Sequence, residues 1–401
     1  MTLSIQTDGI VLRADAMGTG PEAVLLHAGG ERRQVWQPVA QRLADHGFAS
    51  IAMDMRGHGE SGGSRDDSIF RHAADVRALL ETCGGCPVVV GASLGGFAAI
   101  LALAEDDRQT HAAGLVLVDV VPDPEPKRVR AFLNRLPGGL GDLPLVTEIL
   151  EHAEIFRTAA HRLTLPMMLV RGARSAMTDD EIERLGTAVS QLRVATVEGA
   201  GHLVAHDAPE GLSAELLSFL LEDAVRDRRI DRYIALAGGR DLLHPGGTLA
   251  KHLHRVGDTL RRWGEDPVVV DAGRLHAAYG TQGFGVPNAE LATRDHLLRF
   301  VSGNAERLID LYCRCDPQPS YASWNGNTPI VIDRDGGNSI SLNDDERHAL
   351  IVITVANEMD VLQHDCKLVQ QHGAALKRIF MSWRPWLPAI AQAELDAWNV
   401  A

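Results

Sequence analysis

The chain has 401 residues, 45% hydrophobic and 23% charged, with a formal net charge of −14. That length exceeds what one ordinary domain needs, and the balance of apolar to charged residues is that of a folded globular chain rather than a disordered one. The acidic excess would repel the phosphates of a nucleic acid or an anionic bilayer, and no apolar run reaches the ~18 residues of a membrane span.

The stretch from Met1 to Asp8 has neither the basic start nor the apolar core of a signal peptide. Five cysteines are too few for a disulfide framework in a chain of this size. A reducing cytoplasm is the expected compartment, and the preference for Arg over Lys fits a GC-rich bacterial genome.

Through the first half, short apolar runs alternate with stretches of helical length. Val24-Leu25-Leu26, Ser50-Ile51-Ala52-Met53, Val88-Val89-Val90, Leu115-Val116-Leu117-Val118 and Met167-Met168-Leu169-Val170 each predict a buried strand. Trp36 to His46, Ile69 to Thr82 and Leu94 to Ala104 predict helices. A last strand is expected near Val194 to Val197 and a last helix near Pro209 to Glu222. Strands that are apolar on both faces, alternating with helices, predict an α/β domain with a doubly wound, mostly parallel sheet over residues 1–222. Between 121 and 163 the pattern breaks at Pro122, Pro124, Pro126, Pro137, Gly138, Gly139, Gly141 and Pro144. This stretch is expected to form a short cap over the carboxyl edge of the sheet, with a modest pocket beneath it.

The charged run from Glu222 to Arg229 predicts a linker over 223–232. Beyond it the periodicity is helical: Leu249, Leu253, Val256, Leu260 and Trp263 share one stripe at 100° per residue. Asp266-Pro267 reads as an N-cap followed by Pro at the first helical position. Ile351 to Val355 is apolar nearly all round, as in a helix at the centre of a bundle, with Ser341 and Asp344 expected to cap it. The second domain, 233–401, is therefore expected to be all-helical.

The sharpest chemical signal is Gly91-Ala92-Ser93-Leu94-Gly95-Gly96, set between a strand and an apolar helix. A strand, a tight turn and a helix are what a nucleophile elbow requires, because small flanking residues let the chain turn sharply and the helix amino terminus favours a developing oxyanion. A base must reach Ser93, and His202 in Glu198-Gly199-Ala200-Gly201-His202 follows the last strand on the same edge of the sheet. His206 fits that role less well.

With these residues in place, the first half resembles the α/β-hydrolase superfamily, in particular its small-capped esterase and haloperoxidase-like members. Four segments carry the resemblance in order: His27-Ala28-Gly29-Gly30, Asp54-Met55-Arg56-Gly57-His58-Gly59-Glu60-Ser61, the Ser93 elbow and Gly201-His202. The resemblance implies an oxyanion hole from the amides of Leu94 and Gly29, with Gly30 as neighbour. It also implies structural roles for His27 and the Asp54 to Ser61 turn.

Such proteins usually place the third triad member after the strand that here is Met167 to Val170. This chain reads Arg171-Gly172-Ala173-Arg174-Ser175-Ala176, and an alanine cannot orient an imidazole. Three readings stay open. Ala176 is an engineered loss; or the acid has moved to Asp119, at the end of the Leu115 to Val118 strand; or the triad is broken and the protein does not need one. Asp179 and Asp180 are read as capping residues.

Histidines are dense in the second domain. His252 is expected to lean toward the apolar stripe and His254 away from it, while His276 lies at the edge of the stripe of Val268, Ala272, Leu275 and Tyr279. His252 with His276-Ala277-Ala278-Tyr279-Gly280-Thr281 distantly resembles an uncharacterised helical family akin to the His-Asp metal-dependent phosphohydrolases. Those need a carboxylate where Ala277 stands, and no pattern groups Glu306, Asp310 and Asp333 into ligands. No metal and no cofactor is therefore assigned, with His252 and His276 kept as the candidate ligands.

The resulting expectation is a serine hydrolase that cleaves an ester, thioester or lactone of a small, fairly apolar substrate through an acyl-enzyme, using Ser93, His202 and Asp119. The alternative is a non-hydrolytic protein of the same fold, lyase-like or ligand-binding, with further chemistry in the helical domain. The expected partner is a small-molecule substrate, and any homo-oligomer contact is expected on the helical domain.

Overall fold

The apolar runs of the first half are joined in one sheet in the computed structural model, which describes residues 1–105, 108–135, 139–189, 191–282 and 284–398. Its strands are β1 (Thr2–Thr7), β2 (Ile10–Met17), β3 (Glu22–Leu26), β4 (Ala49–Met53), β5 (Val88–Ala92), β6 (Gly114–Val118), β7 (Met167–Gly172) and β8 (Leu192–Val197). They lie in the order β1-β2-β4-β3-β5-β6-β7-β8. From β4 onward in that order every neighbour is parallel, while β2 runs antiparallel to both β1 and β4.

Every residue of β3, β5 and β6 is buried, as strands at the centre of a sheet covered on both faces must be. The helices are α1 (Gln37–Asp45), α2 (Ile69–Thr82), α3 (Leu94–Ala104), α4 (Pro126–Leu133), α5 (Pro144–Glu151), α6 (Ala153–Arg162), α7 (Asp179–Ala188), α8 (Val204–Asp207) and α9 (Pro209–Leu220). Parallel strands need such crossovers to return the chain to the same edge.

Strands β1 and β2 escape a search for continuous apolar runs because they alternate. Only Ile5 of β1 and Leu12 and Ala14 of β2 are buried. The signal that marks them is Asp8-Gly9, whose φ values of 43° and 75° are those of a tight two-residue hairpin turn.

The cap consists of α4, α5 and α6. Helix α4 starts where Glu125 accepts hydrogen bonds from the Lys127 and Arg128 amides at 3.0 and 2.7 Å, with Pro126 at the first helical position. Of the breakers in this stretch, Pro137 and Gly138 lie outside the described residues. Helix α7 begins with a capping box of Thr178 and Glu181, so Asp179 and Asp180 occupy its first turn rather than the cap itself.

The chain divides into two compact units, Met1–Arg229 and Ile230–Ala401. The boundary falls inside helix α10 (Asp223–Leu236), so the stretch 223–232 is not an open linker. Its charges conceal an apolar stripe, since Val225, Ile230, Tyr233 and Ile234 are all buried. Arg229 is buried too, donating to the Leu220 carbonyl at 2.9 Å and lying 6.0 Å from the Phe48 ring centre.

In the second unit, α11 (Leu249–Trp263) packs against α12 (Pro267–Arg274) and the long α16 (Asp344–His364). Shorter helices α13 (Arg294–Leu297), α14 (Gly303–Arg314) and α15 (Pro317–Tyr321) lie between them in the chain. All five stripe residues of α11 are buried, and Asp266 caps α12 by accepting from the Val268 amide at 2.8 Å. The cap of α16 differs from the expected one. Asn343 accepts from the Glu346 amide at 2.8 Å while Glu346 accepts from the Asn343 amide at 3.1 Å, and Ser341 belongs to a strand instead. Two short hairpins interrupt the helices, β9 (Leu243–His244) with β10 (Gly247–Thr248) and β11 (Ile330–Ile332) with β12 (Ser339–Ser341). Among the described residues, no helix is long and apolar enough to cross a membrane.

Two ion pairs generate stability predictions. Arg56 and Asp75, 1% and 0% exposed, form a two-pronged pair at 2.8 and 2.7 Å, and Asp67 adds a third contact at 3.0 Å. Asp75→Ala leaves the buried guanidinium with Asp67 as its nearest carboxylate and should cost about 3 kcal/mol in urea unfolding of the first unit, whereas the double change Arg56→Met with Asp75→Leu should recover most of it. In the second unit, both ring nitrogens of His348 face acceptors, Glu265 and the Trp386 carbonyl, each at 2.9 Å. The Glu265 carboxylate therefore raises the His348 pKa above the usual 6.5. Its stabilisation is fully present below that value and is lost as pH rises through the raised one. His348→Phe should remove this part of the decline in the urea midpoint with rising pH.

Candidate active site

Strand β5 runs into α3 through Ser93, whose φ of 45° and ψ of −108° lie where L-residues rarely sit, at a cost of order 1–3 kcal/mol. The glycines around it are required by space. A Cβ on Gly91 would lie 2.6 Å from the Gly95 carbonyl carbon, and one on Gly95 would lie 2.5 Å from the Leu26 carbonyl oxygen. The turn therefore holds Ser93 at the first turn of α3 and open to the cavity above the sheet.

Asp119 ends β6 in a second strained conformation, φ 50°. Its side chain is 2% exposed, and its Oδ2 lies 2.8 Å from Nδ1 of His202, the loop histidine after β8. The Ser175 hydroxyl donates to the same oxygen at 2.7 Å, and the Gly172 amide donates to Oδ1 at 3.1 Å. The loop after β7, in which Ala176 takes the usual place of the acid, thus wraps the carboxylate of the neighbouring strand. Ser175 also accepts from the Met177 amide at 3.1 Å, which fixes that loop.

A ring nitrogen bonded to a carboxylate carries the proton, so His202 Nδ1–H donates to Asp119 and Nε2 is left with its lone pair. The Phe132 ring of the cap meets the imidazole edge-on, with centres 4.9 Å apart. His206 is 71% exposed and paired with Asp207 at 3.2 Å, away from this arrangement.

The loop after β3 approaches the elbow from the other side. A Cβ on Gly29 would lie 3.9 Å from Leu94 Cβ, so the two residues are side by side. Neither the Gly29 nor the Leu94 amide donates to another group among the described residues. The Gly30 amide is engaged instead, donating to His58 Nε2 at 3.1 Å, and His58 in turn donates from Nδ1 to the Arg56 carbonyl at 2.9 Å. His27 donates from Nδ1 to the Ala28 carbonyl at 2.8 Å and accepts the Met55 amide at 2.9 Å. Burial pushes its pKa down to about 4, so it stays neutral and props the loop. The Asp54 carboxylate fills the turn beside it, accepting the Arg33 and Glu60 amides at 2.7 and 2.9 Å.

Ser93, His202, Asp119, Gly29, Gly30, Leu94 and Ala176 all line one cavity of about 430 Å³. Its walls are mostly apolar, with Phe97 and Val120 from the core and Val129, Phe132, Leu145 and Ile149 from the cap. Ser175 and Phe132 went unrecognised in the sequence because each acts through a contact between distant segments.

The second unit brings its histidines together without a ligand set. His252 is fully buried, with Nδ1 2.7 Å from Asp360, a carboxylate that Arg255 also grips at 2.6 and 2.8 Å. The His244 ring stacks on His252 at 4.0 Å between centres, and the His276 ring meets it edge-on at 5.3 Å. Burial lowers the His276 pKa to about 3 and that of His244 to about 4. The carboxylates are engaged elsewhere: Glu306 with Tyr279 and Arg294, Asp310 and Asp333 with Arg314. Among the described residues, no three His, Cys, Asp or Glu side chains are placed to share a metal ion. His254 pairs with Asp231 at 3.1 Å and is half exposed.

Residues 24–152 match the family described as "alpha/beta hydrolase fold", and residues 233–317 match a domain of unknown function, DUF6817. Among curated proteins, the chain is 36% identical over 110 residues to an esterase of Mycobacterium tuberculosis, covering 26% of this chain and 35% of that protein. It is 34% identical over 116 residues to a pimeloyl-[acyl-carrier protein] methyl ester esterase of Pseudoalteromonas atlantica, covering 28% of this chain and 42% of that one. The match thus spans under half the length of these relatives. Similar solved structures include a bromoperoxidase from Bacillus anthracis, at 20% identity and a TM-score of 0.47, covering 55% of this chain and all of that one. Another is an esterase from Thermogutta terrifontis, at 23% identity and a TM-score of 0.46, covering 57% and 99%. The family match over residues 24–152, the sheet order and the strand–elbow–helix turn together give the first unit an α/β-hydrolase fold.

Proposed function

We propose that the first unit is a serine hydrolase that cleaves an ester, thioester or lactone of a small, fairly apolar substrate. The observation that carries this reading is the 2.8 Å contact of Asp119 with His202 in a cavity that also holds Ser93. A carboxylate that fixes the imidazole tautomer is the part that Ala176 had left in doubt, and Asp119 supplies it. The curated relatives named above are esterases, which supports the same class of reaction.

In this mechanism the Ser93 hydroxyl gives its proton to His202 Nε2 as Oγ bonds to the substrate carbonyl carbon. The negative charge that develops on the carbonyl oxygen is met by the amides of Gly29 and Leu94, at the amino end of α3. Collapse of the tetrahedral species breaks the bond to the alcohol or thiol, which leaves with the proton from His202. A water molecule then repeats the sequence on the acyl-enzyme, releasing the acid and returning the proton to Ser93. Asp119 accepts the Nδ1–H bond throughout and stabilises the imidazolium without taking its proton. The apolar walls would hold the acyl chain, and the volume limits it to a small molecule.

Two measurements test this. On p-nitrophenyl esters, Asp119→Asn should lower kcat by about 10³–10⁴-fold, and Ala176→Asp should change turnover by less than about tenfold, since the imidazole already has its acid. A hundredfold or greater gain from Ala176→Asp would refute Asp119 as the acid. Separately, a fluorophosphonate should label the protein at Ser93 and fail to label Ser93→Ala; an unreactive serine in the folded protein would refute the hydrolase reading.

A further inference from the structure

The lining of the cavity carries a charge pattern that ester hydrolysis as such does not require. Arg65, Arg128, Arg135 and Arg174 line it, and Asp119 is the only carboxylate among its described lining residues. The oxygens of Asp119 are already taken by His202, Ser175 and Gly172. In a chain of net charge −14, this is a local reversal of sign.

Arg128 is neutralised by Glu181. The other three have no carboxylate at ion-pair distance among the described residues, although Arg174 lies near enough to Asp207 to help lower its pKa. Arg65 donates from Nε to the Gly57 carbonyl at 3.2 Å, and Arg174 donates to the Gly199 carbonyl, neither of which carries a formal charge. The Arg135 side chain has no hydrogen-bond partner among the described residues, and none of the three forms an ion pair there. All three are exposed. Some other arginines of the same unit hold carboxylates, Arg33 with Asp15, Asp54 and Glu60 and Arg193 with Glu215 and Glu222, while Arg13, Arg32, Arg42 and Arg162 form no ion pair among the described residues but do not line the cavity. The three also come from separate segments, the loop before α2, the end of α4 and the loop after β7. No single run of basic sequence explains their meeting at one cavity.

We propose that the substrate of this site carries an anionic group, a carboxylate or a phosphate, in addition to the bond that is cleaved. Its apolar chain lies against the cap and core walls, and its anion meets the guanidinium groups of Arg65, Arg135 and Arg174. A planar guanidinium matches either oxyanion with two parallel N–H bonds, and unpaired positive charge at a cavity raises the local concentration of anions. This inference rests on the hydrolase reading of Ser93, His202 and Asp119.

The test compares kcat/KM of the full chain within two matched pairs. The first is the monomethyl ester of suberic acid against methyl octanoate, which puts a carboxylate on the acyl side. The second is octanoyl-4′-phosphopantetheine against octanoyl-pantetheine, which puts a phosphate on the leaving side. The expected result is a preference of about ten- to a hundredfold for the anionic member of one pair, the size of a charge-assisted hydrogen bond. It should shrink as salt rises and reside in KM. The pair that shows it identifies the anion. In the triple variant Arg65→Ala, Arg135→Ala, Arg174→Ala the ratio should fall to near one, and a ratio is insensitive to a partly folded preparation. Equal rates within both pairs, or a preference that survives in the triple variant, overturn the inference. If neutral esters are hydrolysed in a Ser93-dependent way without any anion preference, the hydrolase reading stands alone; if nothing is hydrolysed, both fall.

Discussion

The Asp119 carboxylate ties three strand ends together, and the arrangement of the cavity depends on it. It sits at the end of β6, receives one hydrogen bond from the last residue of β7 and one from the loop that follows, and meets the histidine that follows β8. Parallel strands deliver their carboxyl ends to a single edge of the sheet, spaced by about 4.8 Å per strand, so residues far apart in sequence arrive within reach of one another. Ser93 follows β5, the strand next to β6. The edge therefore lays out elbow, carboxylate, supporting loop and imidazole in consecutive positions.

Backbone strain is concentrated at the same place. Besides Asp8 in its hairpin turn, Ser93 and Asp119 are the non-glycine residues with positive φ among those described. Both remain stitched to the neighbouring strand: the Ser93 amide donates to the Val118 carbonyl at 3.3 Å and the Asp119 amide to the Val170 carbonyl at 2.8 Å. Strain persists where surrounding bonds over-determine the conformation. The fully buried strands on either side provide that frame, and the close packing of Gly91 and Gly95 leaves the chain no softer route through the turn.

The histidines of the chain divide by what surrounds them. His27, His58, His244 and His276 are pushed toward the neutral form by burial, and each of the first two spends its ring nitrogens on backbone groups of the chain itself. His202 differs in facing both a carboxylate and an open cavity, with 22% of its side chain exposed. His252 also faces a carboxylate, but Asp360 shares its charge with Arg255, and the imidazole is wholly buried. Density of histidine in a sequence is thus a poor guide to chemistry, because the same side chain fills a polar gap in a core as readily as it moves a proton.

What the sequence determined by itself was the pattern of the strands and helices and the elbow. Short branched apolar runs ending in Gly, Asp or His fit central strands, while the similar run Ile351 to Val355 lies within the longer α16. The 100° stripe from Leu249 to Trp263 fits a buried helix face, and Gly91-Ala92-Ser93-Leu94-Gly95 fits a turn with no room for side chains. Alternating strands were harder to see, since β1 and β2 are half polar and marked chiefly by Asp8-Gly9. The stretch 223–232 looked like a linker because its charges outnumber its apolar residues, although Val225 and Ile230 are buried together with Tyr233 and Ile234 just beyond it. The partner of His202 was legible only as one of three open readings, of which Asp119 was the one adopted. Ala176 removed the local signal, and Asp119, Ser175 and Gly172 are brought together only by strand order. Hydrogen bonds across 83, 56 and 53 residues of sequence leave no local period, so only the tertiary structure shows which carboxylate lies against His202.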